Sequence, residues 1–213
     1  MKNPFDKHNF AKQPDYHSNS AKIKARQQLI HAYAKITGVN VLPKEKSYWT
    51  FCNKQPNTEG AEIVQLTQSG FITKSQFFGI DNDIKKEGVI EFNKKQHPEA
   101  NWLCGDWLEV IEENFESFNP ALVYFDYTKT VVKTGCHMYL AKTMNLCPPQ
   151  TVVAANLMLS DGHSSKRFDS KILVESVGKY LRDPQEWVVS EQFYSYKASQ
   201  TDMGTFFFHK STI

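Results

Sequence analysis

The sequence predicts an α/β fold: a doubly wound, mostly parallel seven-stranded sheet that ends in an antiparallel hairpin. Three observations carry this reading. Strand-like and helix-like segments alternate from Ser47 onward, the pattern of parallel strands joined by helical crossovers. Three successive strand-like segments finish on an aspartate: Asp81, Asp106 and Asp126. The last two strand-like segments have no helix between them, so they must pair antiparallel.

Taken in order, residues 1–18 are polar, hold Pro4 and Pro14, and show no sustained period; an extended arm is expected. From Ser20 the pattern turns helical, with Ile23, Ile30, Tyr33 and Ala34 able to share a face. Ser18, Asn19 or Ser20 can cap its start, and Gly38 fits just past its end. Pro43 and the run Lys44–Lys46 then break the chain. A boundary is expected there, between a basic N-terminal arm and helix (1–46) and the main domain (47–213).

The main domain begins with a strand over Ser47–Asn53 and a helix over Glu59–Ser69. A strand at Gln76–Asp81, a charged helix at Ile84–Gln96 and a strand at Asn101–Asp106 follow. Trp107–Phe118 is amphipathic, with Leu108, Ile111, Phe115 and Phe118 at helical spacing. A fourth strand spans Ala121–Asp126, and the helix Lys129–Leu146 is stopped by Pro148 and Pro149. Thr151–Leu159 is almost unbrokenly apolar, as a strand covered on both faces should be. The helix Phe168–Leu181 ends at Asp183–Pro184. Strands Glu186–Tyr196 and Thr205–His209 then close the chain through a turn near Gln200–Gly204.

Composition bounds the function. The 213 residues are 40% hydrophobic and 23% charged, which excludes wholesale disorder. Apolar runs are too short to cross a bilayer, and no secretory signal is expected from the polar stretch Met1–Asp15. Cys52, Cys104, Cys136 and Cys147 are scattered without a CxxC, so neither a disulfide framework nor a zinc site is expected. These features suggest a cytoplasmic protein with reduced thiols and no metal.

The chemistry gathers at the strand ends. In open α/β sheets, ligands bind beyond the carboxyl ends of the strands, near the switch point of the strand order. Asp81 after GI, Asp106 after CG and Asp126 after YF would converge on one such rim, and each also precedes a helix it could cap. With the terminal hairpin, this order resembles the class I Rossmann-like S-adenosylmethionine-dependent methyltransferases over roughly residues 47–213. The resemblance implies S-adenosylmethionine as cofactor. It places Asp81, with Asn82, at the ribose hydroxyls, Asp106 and Trp107 at the adenine, and Asp126 facing the transferred methyl.

One segment departs from the family. The usual glycine-rich first loop is replaced by FCNKQPNTEG (Phe51–Gly60), with Gly60 alone. Without a backbone cradle, a dinucleotide or ATP is disfavoured. The methyl donor has no phosphate; Cys52 and Asn53, with Glu59 or Glu62, offer polar contacts to its amino-acid end.

The acceptor side is less specific. Asp126 can orient or deprotonate an acceptor and Tyr127 can stack on a flat one. FDYT lacks both prolines of the Asn/Asp-Pro-Pro-aromatic signature, so base specificity is not carried over. His163 and Lys166, in the polar loop Ser160–Arg167, are candidate substrate contacts; His137 reads as a core or boundary histidine. Residues 1–46 hold nine Lys/Arg against three Asp/Glu, a balance of +6, whereas the other 167 residues hold 16 against 20. Lys22, Lys24 and Arg26, with aromatic residues interleaved in the arm, suggest recruitment of a nucleic acid. The alternative is a non-catalytic binding protein on the same fold.

Overall fold

The computed structural model of the chain describes residues 20–82, 88–126, 136–159, 170–198 and 201–211. The expected arm (1–18), the starts of the helices expected at Ile84, Lys129 and Phe168, and the loop Ser160–Arg167 lie outside them. Helix α1 (Ser20–Thr37) leads into β1 (Ser47–Phe51), α2 (Glu62–Gln68), β2 (Phe77–Asp81), α3 (Val89–Gln96), β3 (Asn101–Cys104) and α4 (Trp107–Glu113). Then come β4 (Pro120–Asp126), α5 (Cys136–Leu146), β5 (Val152–Met158), α6 (Ser170–Gly178), β6 (Trp187–Ala198) and β7 (Thr201–Lys210).

The strands form one seven-stranded sheet in the order β3-β2-β1-β4-β5-β7-β6. The first five are parallel to one another. Strand β7 runs antiparallel to both β5 and β6. The chain therefore winds outward from β1 to β3, then returns to β4 on the other side of β1. That reversal is the switch point, and it is flanked by the loops leaving β1 and β4.

Side chains alternate across β1, so each face of the sheet acquires its own core. On one face, Tyr48, Phe77, Leu122, Tyr124, Val152 and Phe207 pack with Ile63 and Leu66 of α2 and with Val89 and Ile90 of α3. Leu29, Ala32 and Tyr33 of α1 belong to this same cluster, and Tyr33 meets Phe71 edge-on at 5.3 Å. The first helix is thus built into the main core, with no gap in packing at Lys46. On the other face, Trp49, Ile80, Val123, Phe125, Val153, Phe206 and Phe208 pack against α4, α5 and α6. Strands β4 and β5 are buried along all but their last residue, as covering on both faces requires.

Two boundaries differ from expectation for local reasons. The third strand stops at Cys104, because Gly105 takes φ +151° and a Cβ there would lie 2.8 Å from Val110 Cγ2. Asp106 therefore follows a glycine turn and opens α4 instead of ending β3. The helix expected to run to Phe118 ends at Glu113, and a 3-10 turn at Phe115–Ser117 finishes the segment; Phe118 still reaches the core beneath Trp49.

Candidate active site

The rim at the carboxyl ends of the parallel strands carries, in spatial order, Asp106 after β3, Asp81 of β2, Cys52 after β1, Asp126 of β4 and Asn156 of β5. Asp81 lies in register with Cys104 and Asp126 with Asn156. Strand spacing puts the backbones of Asp81 and Asp126 about 10 Å apart across β1.

Asp81 closes β2 half-buried, and its carbonyl accepts the amide of Gly105 at 3.1 Å, which ties the β2 and β3 ends together. Asn82 follows, exposed. Asp106 is the N-cap of α4: Oδ1 accepts from Leu108 N at 3.0 Å. Its Oδ2 accepts from the Tyr139 hydroxyl at 3.0 Å, and this hydrogen bond pushes the Tyr139 phenol up. Trp107 is only 2% exposed. Its ring sits 4.6 Å from Phe51 and 4.9 Å from Phe125, and Nε1 donates to Thr143 Oγ1 at 2.8 Å. The indole thus belongs to the core beneath the rim, where both its apolar surface and its N–H are satisfied.

Asp126 is held from two sides. Asn156 Nδ2 donates to Oδ1 at 2.7 Å, and Lys22 Nζ of α1 donates to Oδ2 at 3.1 Å. Asn156 is itself fixed, since Thr205 Oγ1 of β7 donates to its Oδ1 at 3.2 Å. An amide in the apolar run TVVAANLML is the sequence signal for this partner. Tyr127, His163 and Lys166 lie outside the described residues.

The glycine-poor loop after β1 is fixed by side chains. Asn93 of α3 accepts from Gln55 N at 2.6 Å and donates to Asn53 O at 3.0 Å. His97 Nε2 lies 3.1 Å from Gln55 O, and Gln55 Oε1 accepts from Glu62 N at 2.9 Å to begin α2. Cys52 is buried and Asn53 exposed. Burial first, then the charges of Asp81 and Glu62, push the Cys52 thiol well up, and it packs in the core cluster with Tyr48 and Trp102.

Of the basic candidates on α1, Lys24 is exposed whereas Arg26 is 5% exposed. Arg26 Nη1 donates to Gly60 O at 2.6 Å and to Gln65 Oε1 at 3.1 Å. Its Nε lies 3.8 Å from Glu62 Oε2. The Tyr48 hydroxyl donates to Glu62 Oε1 at 2.7 Å. Burial raises the Glu62 carboxyl, Arg26 opposes that rise, and Asp126 adds to it. Asp81, Cys52, Glu62 and Asp126 therefore share one electrostatic neighbourhood around β1, with Lys22 and Arg26 as its cations.

No protein-family model and no curated protein matches this sequence. Solved structures do match by shape. An S-adenosylmethionine-dependent methyltransferase from Clostridium acetobutylicum superposes with a TM-score of 0.56 at 11% identity, over 98% of this chain and 96% of that one. The chain has the Rossmann-like methyltransferase fold. An rRNA methylase from Streptococcus thermophilus gives 0.51 at 12% identity, over 89% and 95%. TrmN from Thermus thermophilus gives 0.54 at 13% identity over 89% of this chain, which spans about half (51%) of TrmN. Among the described residues, no helix is long and apolar enough to cross a membrane.

Proposed function

We propose that the chain is an S-adenosylmethionine-dependent methyltransferase acting on a nucleic acid. The observation that carries this reading is the placement of Asp81, Asp106 and Asp126 along one rim, beside the switch point, in this fold. The donor set suits the cofactor: acceptor-only carboxylates match ribose hydroxyls, an exocyclic amine and a ligand carrying a sulfonium and an ammonium group. When bound, the cofactor supplies an electrophilic methyl.

In this reading Asp81, with Asn82, takes the ribose and Asp106 the adenine edge. The buried Trp107 supports that pocket from below. Cys52 and Asn53 border the amino-acid end. Asp126, oriented by Asn156, faces the acceptor and holds or removes its proton, while Tyr127 stacks on it. Lys24, His163 and Lys166 make outer contacts to the acceptor. Nucleic acid as acceptor is supported by the basic first 46 residues and by likeness to an rRNA methylase.

A non-catalytic binding protein is the second reading, favoured by the Lys22–Asp126 pair and by the side-chain-packed first loop. Calorimetry with S-adenosylmethionine and S-adenosylhomocysteine separates the two. Binding of either, abolished in Asp81→Ala, supports the enzyme; no binding by the folded wild type overturns it.

A further inference from the structure

We propose that Arg26 is a positioning residue for the cofactor, reaching from α1 to fix the loop after β1; this rests on the rim being the cofactor site. Besides the backbone turn from Ala61 N to Thr58 O at 2.9 Å, the ten-residue loop is held by side-chain anchors. Asn93, Gln55 and His97 anchor its first half. Arg26 anchors the second half from outside the loop. Its guanidinium reaches Gly60 O, the only glycine carbonyl of the loop, and Gln65 and Glu62 of α2.

A planar fork is suited to this task, because one group can bind a carbonyl, an amide and a carboxylate held at fixed angles. The group is nearly inaccessible, so it is not a surface contact for a phosphate. Lys22 lies one helical turn earlier on α1 and grips Asp126 across the switch point. A single helix face therefore spans the crevice: Arg26 fixes its cofactor-loop wall and Lys22 its acceptor wall. The N-terminal segment becomes part of the site's frame.

The test is titration calorimetry with S-adenosylhomocysteine on the full chain, paired with hydrogen exchange of the unliganded protein. Arg26→Gln is expected to weaken binding about tenfold, because Gly60 O and Glu62 lose a charged partner. It is also expected to speed exchange selectively at residues 55–62. Arg26→Lys keeps the charge without the fork and should fall between; Gln65→Ala should weaken binding less. Lys179→Gln, exposed just past α6, should match wild type in both measurements. If Arg26→Gln does not fold, Arg26→Lys and Gln65→Ala decide the matter. Wild-type affinity and unchanged loop exchange in folded Arg26 variants would overturn the inference and leave the function standing. An inert wild type would instead remove the functional reading and this inference with it.

Discussion

Asp106 bears two loads at once, and a conservative substitution separates them. Its carboxylate caps α4 through Leu108 N and receives the Tyr139 hydroxyl. Asparagine caps a helix about as well as aspartate, so Asp106→Asn should cost less than about 1 kcal/mol in chemical denaturation. Its affinity for S-adenosylhomocysteine should nevertheless fall several-fold, since a neutral amide is the weaker acceptor for an exocyclic amine. Unchanged affinity would leave Asp106 as a cap alone. Gly105 makes the cap possible: with φ +151° and Val110 Cγ2 waiting at 2.8 Å, Gly105→Ala should destabilise the fold by about 1–3 kcal/mol. The cysteines give a simpler test. Cys104 is exposed, whereas Cys52, Cys136 and Cys147 are buried, and burial pushes the Cys52 and Cys147 thiols up. Brief alkylation at pH 8 should add one group, at Cys104, as read by peptide mass.

At the scale of elements, the loop after β1 depends on a neutral histidine. His97 is buried, with Nε2 facing Gln55 O and no hydrogen-bond partner for Nδ1 among the described residues. Burial first, then Lys74, holds it below its ordinary 6.5, against Gln55, Pro56 and Glu99, which favour the cation. The unfolded chain therefore takes up a proton before the folded one does. This contribution is complete above about pH 6.5 and is lost as the pH falls toward the folded value. Denaturation midpoints across pH 5–7.5 should show that decline, and His97→Gln should flatten it. Glu62 works with opposite sign. Its raised carboxyl favours the folded state at low pH, and that advantage fades as the pH climbs from about 4.5 through the folded value. None of this loop is legible in the sequence, because Asn93 and His97 lie some forty residues from the backbone they hold. What is legible is periodic or punctuated: the alternating elements, the apolar β5, the hairpin and the acids at three strand ends. Trp107 turns inward for a related reason. Adjacency to Asp106 fixes its position in the chain, whereas the turn at Gly105 and the core aromatics fix where its ring goes.

For the whole molecule, the boundary near Lys46 marks a change of charge, while the core runs across it. Leu29, Ala32 and Tyr33 cover the sheet face that holds Tyr48 and Phe77, so removal of residues 1–46 should abolish cooperative unfolding. That deletion cannot serve as a test of nucleic-acid recruitment; point substitutions can. Burial divides the basic residues of α1 into two sets. Lys22 and Arg26 turn inward to Asp126 and the first loop. Lys24, His31 and Lys35 are exposed at spacings of seven and four, which places them along one outward stripe. A phosphate backbone would meet this stripe and avoid the stretch from Asp81 to Asp126, where eleven acids outnumber four lysines. With single-stranded RNA as the probe, Lys24→Gln/Lys35→Gln should weaken binding at low salt. It should also reduce the slope of log affinity against log salt by about 1.4, roughly 0.7 for each lysine that no longer neutralises a single-strand phosphate. Because neither residue touches the strand-end rim, affinity for S-adenosylhomocysteine should stay at the wild-type value. An unchanged salt slope would exclude the outward stripe of α1 as the nucleic-acid contact.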